Sequence, residues 1–597
     1  MKRGLSLTGI PVSPGVAVGR AVLWLSREDA APHRTLEPEE IPGEIERFRR
    51  ATESAVEEIG TLATQVSERL GPEYAAIFQA HAMVLKDRAF VGPVEKRIVQ
   101  DAVNAEWAVT AAAHALAAKF RDLPDEDLAL RSADVDDVAR IVLKHLGDEG
   151  DSRLRMEDLA GAAIVLIADE LTPSDAVRIP RDRVVGFATE RGGATSHAAI
   201  LARSFGIPAV VGVARLLESV GDDDRVIVDG RDGVVWREPS EEIVALFRDR
   251  REEEARREKS LKERSVGGVA TTTDGVEVAV CANIELASEV VDVVEYGADG
   301  VGLFRSEFLY LAAGDLAFPD VASQAAIYAD VLRRLAPRPV VIRTYDLGGK
   351  KGARQLVGTD EPNPVLGLRG VRLCLARPEM FRTQLTALLT AAPAGNLRIL
   401  VPMVSGVEEV RQVRAMLNEA RAELVDQGVP VPESVPLGAM IEVPSAAVTA
   451  DLIAPEVDFM ALGTNDLVQY TLAVDRANET VSHLFRPEHP AVLRLVARVA
   501  EAARAARKPL SVCGEAAADP QLFLLLLGLG IREFSMGPRT VPVIKEIARV
   551  VSVAEAARVA RAALSLSTPD EVVALLALEL RDLVPAVRRH RSPAVSA

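Results

Sequence analysis

Between residues 268 and 545 the chain repeats one unit, a short apolar segment followed in most cases by a stretch compatible with a helix. Eight such segments occur: "VEVAVCANI", "GVGLF", "PVVIRTY", "LRILVPMV", "LGAMIEV", "FMALGT", "LSVCGE" and "EFSMG". Short apolar runs alternating with helical lengths are the pattern of strands buried on both faces and joined by crossover helices. Eight repeats predict a parallel sheet closed into a (β/α)8 barrel, whose strand C-termini gather on one rim. The residues delivered to that rim are Asn283 and Glu285, Arg305 and Glu307, Arg343 and Asp346, Met403, Glu442, Asn465 and Asp466, Cys513 and Glu515, and Ser535. Such a set is expected to carry chemistry rather than stability.

Two of these carboxylates, Glu442 in "MIEVPSA" and Asp466 in "GTNDLVQYTLAVDR", fall at neighbouring strand ends. Magnesium takes one or two carboxylates, keeps some waters and completes its shell with substrate oxygens, so the pair suits Mg²⁺ without any His or Cys. Arg305 in "GVGLFRSEFLY", Arg343 in "VIRTYDLGG", Arg369 in "NPVLGLRG" and Arg476 in "AVDRAN" supply planar guanidinium groups suited to phosphate and carboxylate. The combination predicts a small, heavily anionic substrate bearing both groups. Asn465 is a candidate neutral donor, and Cys513 is either a buried small residue or a proton donor beside a reacting carbon.

Upstream, "GAAIVLIADE" and "VVGFATE" read as short strands, and "RGGATSHAAILARS" places His197 after two glycines and two hydroxyl residues at a strand-to-helix junction. Thr195 or Ser196 can cap that helix, leaving free N–H groups that attract an anion. A neutral imidazole there is a good nucleophile for a phosphoryl group, and the helix end would stabilise the charged product. Residues 1 to about 30 carry β-like segments able to join a later sheet, and "RVIVDGRDGVVW" reads as a hairpin. From Glu44 on, Ile45, Phe48, Ala51, Ala55, Val56, Ile59, Leu62 and Val66 recur at helical spacing, opening a helical region that runs to about 147. Its histidines His81, His114 and His145 read as structural or surface residues, and the acidic stretch from Asp125 to Asp137 as a solvated face. Residues 248–265, "RDRREEEARREKSLKERS", suit an exposed helix connecting two bodies, and a connector implies movement.

With 597 residues the chain is long enough for about three or four domains at roughly 150 residues each. No apolar run approaches the roughly 20 residues of a spanning helix, and the basic N-terminus is soon broken by Gly and Pro, so a cytoplasmic protein with no membrane insertion is expected. The formal net charge of −17 argues against nucleic acid and makes a basic protein partner easier to accommodate. Cys281, Cys374 and Cys513 are too scattered for a disulfide framework or a structural zinc site. The expected organisation is an α/β body formed by residues 1–30 and 150–236, a helical insertion over 31–149 and a linker helix over 237–267. The barrel then occupies 268–575, with a C-terminal tail over 576–597.

In "GIPVSPGVAVG", "GGATSHAAILARSFGIPAVVG", "GVGLFRSEF", "RTYDLGG", "NPVLGLRG", "IEVPSA", "GTNDLVQYTLAVDR" and "SVCGEAA", taken in order, the chain closely resembles the Enzyme I family. These are the phosphoenolpyruvate-protein phosphotransferases of the sugar phosphotransferase system. The resemblance implies that phosphoenolpyruvate and Mg²⁺ bind in the barrel, and that His197, on a swivelling domain, takes the phosphoryl group and passes it to a histidine of the small carrier HPr. By motif, Arg305, Arg343, Asn465 and Arg476 would contact phosphoenolpyruvate, with Arg369 as a further contact. Glu442 and Asp466 would bind magnesium, Asp466 also bordering the substrate, and Cys513 would protonate the enolpyruvate product. A homodimer through the barrels and HPr docking on the helical insertion are implied as well. Family members often carry a basic or larger residue where this chain has Ala194, and "DLGGKKG" departs from the commoner ending, so Lys350 and Lys351 receive no role. "SHAAI" also looks like the histidine motif of pyruvate phosphate dikinase and phosphoenolpyruvate synthase, the alternative reading. Those enzymes add a nucleotide-binding domain, whereas the region before His197 is short, mainly helical and without a GxxxxGK[ST] run. A noncatalytic metabolite sensor on the same fold is disfavoured by the intact set of arginines, carboxylates and His197.

Overall fold

The computed structural model describes residues 5–24, 33–69, 81–85, 87–121, 132–146, 163–171, 183–193, 198–199, 202, 206–307, 319–348, 363–476, 478 and 480–583. The chain forms two compact units, Met1–Arg256 and Arg257–Ala597. The division falls inside the charge-dense connector.

In the first unit an eight-stranded sheet runs in the order β1-β8-β7-β3-β4-β5-β6-β2. Its strands are β1 (Leu5–Thr8), β2 (Ile10–Ser13), β3 (Val16–Trp24), β4 (Ile164–Ala168), β5 (Val184–Thr189), β6 (Ala209–Val211), β7 (Arg225–Asp229) and β8 (Val234–Arg237). The N-terminal strands thus do join the later sheet, and β7 and β8 pair antiparallel as the expected hairpin. Side chains alternate across the sheet. Ile164, Leu166 and Ala168 pack with Phe187, Ala198, Ala199 and Ala202 on one face, while Val165 and Ile167 pack with Val213, Leu216 and Val226 on the other.

Between β3 and β4 come helices α1 (Ile41–Arg69), α2 (Arg88–Gln100), α3 (Ala105–Arg121) and α4 (Ser132–Leu146). Their own core includes Phe48, Ala51, Ala55 and Ile59, the spacing read from the sequence, and Ile45 and Val56 pack partly buried against it. The side chains of Leu62 and Val66 lie outside the described residues. The expected solvated face from Asp125 lies largely outside the described residues, but at its far end the expectation fails. Asp137 does not belong to a solvated face; it is buried opposite the fully buried His81, 3.6 Å from Nδ1, because the stripe of Val135, Val138 and Val142 turns this part of α4 inward. His145 pairs with Glu58 near the surface, and His114 is exposed. Helix α5 (Glu241–Ser265) contains the whole connector.

In the second unit, eight parallel strands close into a barrel. They are β10 (Glu277–Ile284), β11 (Val301–Arg305), β12 (Pro339–Arg343), β13 (Asn396–Val401), β14 (Leu437–Ile441), β15 (Phe459–Leu462), β16 (Leu510–Val512) and β17 (Glu533–Met536), preceded by a short antiparallel β9 (Ala270–Thr271). All eight expected strands are present. Leu303, Val341, Leu400, Met440, Phe459, Ala461 and Cys513 fill the lumen, and a separate, larger cluster packs the surrounding helices onto the strands. The expected tail begins too early. Helix Pro569–Leu583 runs through residue 576, and Val572, Leu576 and Leu580, spaced at four, are buried in that outer cluster. The free cysteines Cys281, Cys374 and Cys513 are all buried. No helix among the described residues is long and apolar enough to cross a membrane.

Candidate active site

Arg305 and Arg343 are the last residues of β11 and β12 and stand directly opposite one another in the parallel register. Two adjacent cations at strand ends repel unless acids are interleaved. Arg305 pairs with Glu285 from the loop after β10, and Arg343 with Glu307 and, at 2.9 Å, with Asp346. Burial works against the charge on Arg343, but Glu307, Asp346 and Glu442 outweigh it and raise its pKa.

Arg369 lies before the short helix Val371–Ala376 and is held to the segment after β12 by the Gly370 N–H, which donates to the Leu347 carbonyl. Gly370 has φ +59° and any Cβ there would stand 2.8 Å from Met403, so this approach requires glycine. The Arg369 guanidinium bridges two carboxylates, donating through Nε and Nη2 to Asp346 at 3.0 Å each and through Nη1 and Nη2 to Asp466 at 2.9 and 3.1 Å. Nη1 also meets the Tyr470 hydroxyl at 3.1 Å. Tyr470 follows Asp466 by four residues on helix α6 (Thr464–Leu472), one turn along the same face.

Glu442 follows β14 and is buried, with Oε1 accepting from the Met403 N–H at 2.6 Å. Its other oxygen fills the space beside Gly463, where an added Cβ would lie 2.5 Å away. Burial first, then the charges of Asp466 and Asp346, push the Glu442 carboxyl up to about 8. Cys513, one residue beyond β16, is buried at the top of the lumen cluster and its thiol donates to the Leu462 carbonyl at 3.5 Å. Burial and then Glu442 push it up to about 12, while Arg343 and Arg305 pull the other way.

The structure therefore brings together Arg305, Arg343, Arg369, Glu442, Asp466 and Cys513. It places two expected residues differently. Asn465 is turned to Glu515, donating from Nδ2 to Oε1 at 3.3 Å and accepting the Glu515 N–H at 3.1 Å. Arg476 is exposed, and its guanidinium makes no ion pair among the described residues. His197, Ala194, Lys350 and Lys351 lie outside the described residues. Around His197, β5 ends at Thr189, and Ala198 and Ala199 are helical and buried, in keeping with a strand-to-helix junction.

Among the described residues no three His, Cys, Asp or Glu side chains gather closely enough to hold a metal by themselves. The oxygen donors of Glu442 and Asp466 nevertheless fit magnesium, which needs only one or two carboxylates when substrate and water supply the rest. Burial raises the Glu442 pKa most, and the neighbouring acids Asp466 and Asp346 add to it, so a cation placed there would lower it again. Both Asp466 oxygens accept from Arg369, so a cation there would share them with that guanidinium.

Asp346, Glu307 and Glu285 fall at strand ends in the sequence, but their partners lie on other elements. Tyr470 is marked in the sequence only by its spacing of four from Asp466.

Comparison with known proteins matches nearly the whole chain. Residues 8–131 match the N-terminal domain of PEP-utilising enzymes, 161–233 their mobile domain and 259–553 their PEP-binding domain. The phosphoenolpyruvate-protein phosphotransferase of Geobacillus stearothermophilus is 41% identical over 576 residues, covering 96% of this chain and 98% of its own. That of Staphylococcus carnosus is 38% identical over 571 residues, with the same coverage. A solution structure of an Enzyme I protein aligns with 42% of this chain and 99% of its own at 34% identity and a TM-score of 0.35. With relatives this similar over nearly their whole length and a barrel rim of interleaved guanidinium and carboxylate groups, the chain belongs to the phosphoenolpyruvate-protein phosphotransferase family.

Proposed function

We propose that this chain transfers the phosphoryl group of phosphoenolpyruvate to His197 with release of pyruvate, and then to a histidine of an HPr carrier, as the first step of phosphotransferase-system sugar uptake. One observation carries the reading: at the barrel rim, Arg305 and Arg343 stand side by side on adjacent strands, Arg343 is joined through Asp346 to Arg369 and Asp466, and Cys513 is buried at the top of the lumen. The paired guanidinium groups bind the phosphate and carboxylate of the substrate, and Arg369 adds a third cation. Glu442 and Asp466 would hold Mg²⁺, whose charge when bound would neutralise the transferring phosphate. As the P–O bond to the enol oxygen breaks, the imidazole of His197 forms the new P–N bond. The enolate left behind takes a proton at carbon from the Cys513 thiol to give pyruvate. A thiol raised to about 12 holds its proton throughout the neutral range, which suits an acid rather than a nucleophile. Asn465 and Arg476 belong to the substrate contacts in this reading, which requires Asn465 to exchange Glu515 for substrate and the exposed Arg476 to turn inward. The reading includes a homodimer formed through the barrels, testable by sedimentation, and a cytoplasmic location.

The test is acid-labile labelling from radioactive phosphoenolpyruvate in the presence of magnesium. Wild type is expected to label and to pass the label to added HPr, while His197→Ala stays unlabelled and Asp466→Ala loses magnesium-dependent labelling while remaining folded. Equal labelling of wild type and His197→Ala would remove His197 as the acceptor. Turnover that requires ATP and no carrier would favour a dikinase or synthase.

A further inference from the structure

Beneath the rim lies a buried polar network that the chemistry above does not use. Gln384, on helix α7 (Pro378–Ala391), is fully buried. Its Oε1 accepts the Tyr345 N–H at 3.0 Å, and its Nε2 donates to the Ser306 hydroxyl at 2.8 Å and the Tyr328 hydroxyl at 3.3 Å. Ser306 in turn donates to the Arg343 carbonyl at 2.6 Å. Tyr328 and Tyr345 both donate to Gln324 Oε1, at 3.2 and 2.9 Å, and Gln324 Nε2 ends the chain on the Pro319 carbonyl at 2.7 Å. Donors and acceptors alternate consistently through the set, so the amide orientation of Gln384 is determined by the Tyr345 N–H, which needs an acceptor.

The placement matters more than the count of bonds. Strand β12 stops at Arg343, the Thr344 N–H still donates to the Leu400 carbonyl of β13 at 2.9 Å, and beyond it Gln384 serves the backbone, taking the Tyr345 N–H directly and the Arg343 C=O through Ser306. Ser306 sits between Arg305 and Glu307 at the end of β11, so the same side chain ties together two neighbouring strand ends. Buried polar groups left unmatched are costly, so a network satisfied this fully has few alternative arrangements.

We propose that Gln384 is a positioning residue for phosphoryl transfer, acting through Ser306 and the Tyr345 amide to fix Arg343 and Asp346 relative to Arg305 and Glu307. The proposal rests on the phosphotransferase reading. A shift of the order of 1 Å at a charged contact can cost about a hundredfold in rate. Replacing Gln384 with Leu, similar in size and unable to bond, is therefore expected to lower kcat/KM for phosphoenolpyruvate by about ten- to a hundredfold. Ser306→Ala, a far smaller change, is expected to lose part of that and to add little on top of Gln384→Leu.

The experiment measures pyruvate release and His197 labelling by the full-length chain, with Leu388→Ala as a control. Leu388 is a fully buried apolar residue four positions along the same helix, so its truncation destabilises by packing alone. At a temperature where all variants are folded by circular dichroism, the control should keep wild-type kinetics while Gln384→Leu and Ser306→Ala lose kcat/KM. In an Arg343→Lys background, Gln384→Leu should have a smaller effect than in wild type, since part of its influence runs through Arg343. Wild-type kinetics in both Gln384→Leu and Ser306→Ala, a control that loses as much as they do, or full additivity with Arg343→Lys would each overturn the proposal. A wild-type chain that releases no pyruvate from phosphoenolpyruvate would instead overturn the functional reading itself, which keeps the two failures apart.

Discussion

Cys513 owes its chemistry to its position at the top of the lumen, where burial and the neighbouring Glu442 hold the thiol protonated. The sign of the linked stability follows. The folded-state pKa is raised from 9.0 to about 12, so this thiol contributes stability that is complete below pH 9 and is lost as pH climbs toward 12. Cys513→Ala is expected to flatten that part of the alkaline decline in thermal melts, and iodoacetamide at pH 8 should leave Cys513 unmodified until the chain is unfolded, read by peptide mass spectrometry. Alkylation at the rate of a free thiol would contradict its burial. At this scale the legible residues were those at or just past a strand end: Arg305 and Arg343 close their strands, and Glu442 and Asp466 lie within four residues of strand ends that the apolar pattern reveals. Arg369 was legible from its motif, but its two carboxylate partners were not. Gln384 lies three residues after Phe381 and four before Leu388, on the stripe that helical spacing turns inward, but its partners on β11 and after β12 were illegible.

Helix α5 shows what an element can owe to its ends. Its sequence has no broad apolar stripe, and the alternating charges read as an exposed connector. In the first unit Val244 is buried against Val16 and Ile227, and Arg250 reaches Asp229 at 3.2 Å. In the second unit Lys262 pairs with Glu295, and the Ser265 hydroxyl donates to the Tyr296 carbonyl at 2.8 Å. The last turn is secured by Lys545, a fully buried lysine on helix α8 (Val541–Val550). It donates to the carbonyls of Ser265, Gly268 and Gly297 at 3.3, 2.9 and 2.7 Å and to Asp299 at 2.6 Å. Burial lowers its pKa, and Asp299 offsets part of that. Carbonyls at a helix C-terminus lack intrahelical partners, and here a cation supplies them. Lys545→Met would leave those carbonyls unmatched and Asp299 with only the Val280 N–H, and is expected to cost the barrel about 3–5 kcal/mol. Urea denaturation followed by circular dichroism measures this, and a loss below about 1 kcal/mol would mean that the clamp is dispensable.

For the whole molecule, each core belongs to one unit. The helical, sheet and α5 clusters draw only on residues before 257, and the two barrel clusters only on residues after it. Calorimetry is therefore expected to resolve more than one transition, with phosphoenolpyruvate and magnesium together raising only the barrel's in the His197→Ala variant, where binding is not followed by transfer. A single transition shifted as a whole would contradict independent cores. The sequence by itself determined the eight-stranded barrel, the sheet built from both ends of the first unit and the helical insertion, because hydrophobic period is a local property that burial must respect. It also determined which charged residues follow the strands. Tertiary structure alone decided how those charges pair: that Arg369 bridges Asp346 and Asp466, that Asn465 turns to Glu515, and that Gln384 braces two strands from a helix. Pairing depends on distances between residues far apart in the chain, and only closure of the barrel sets them.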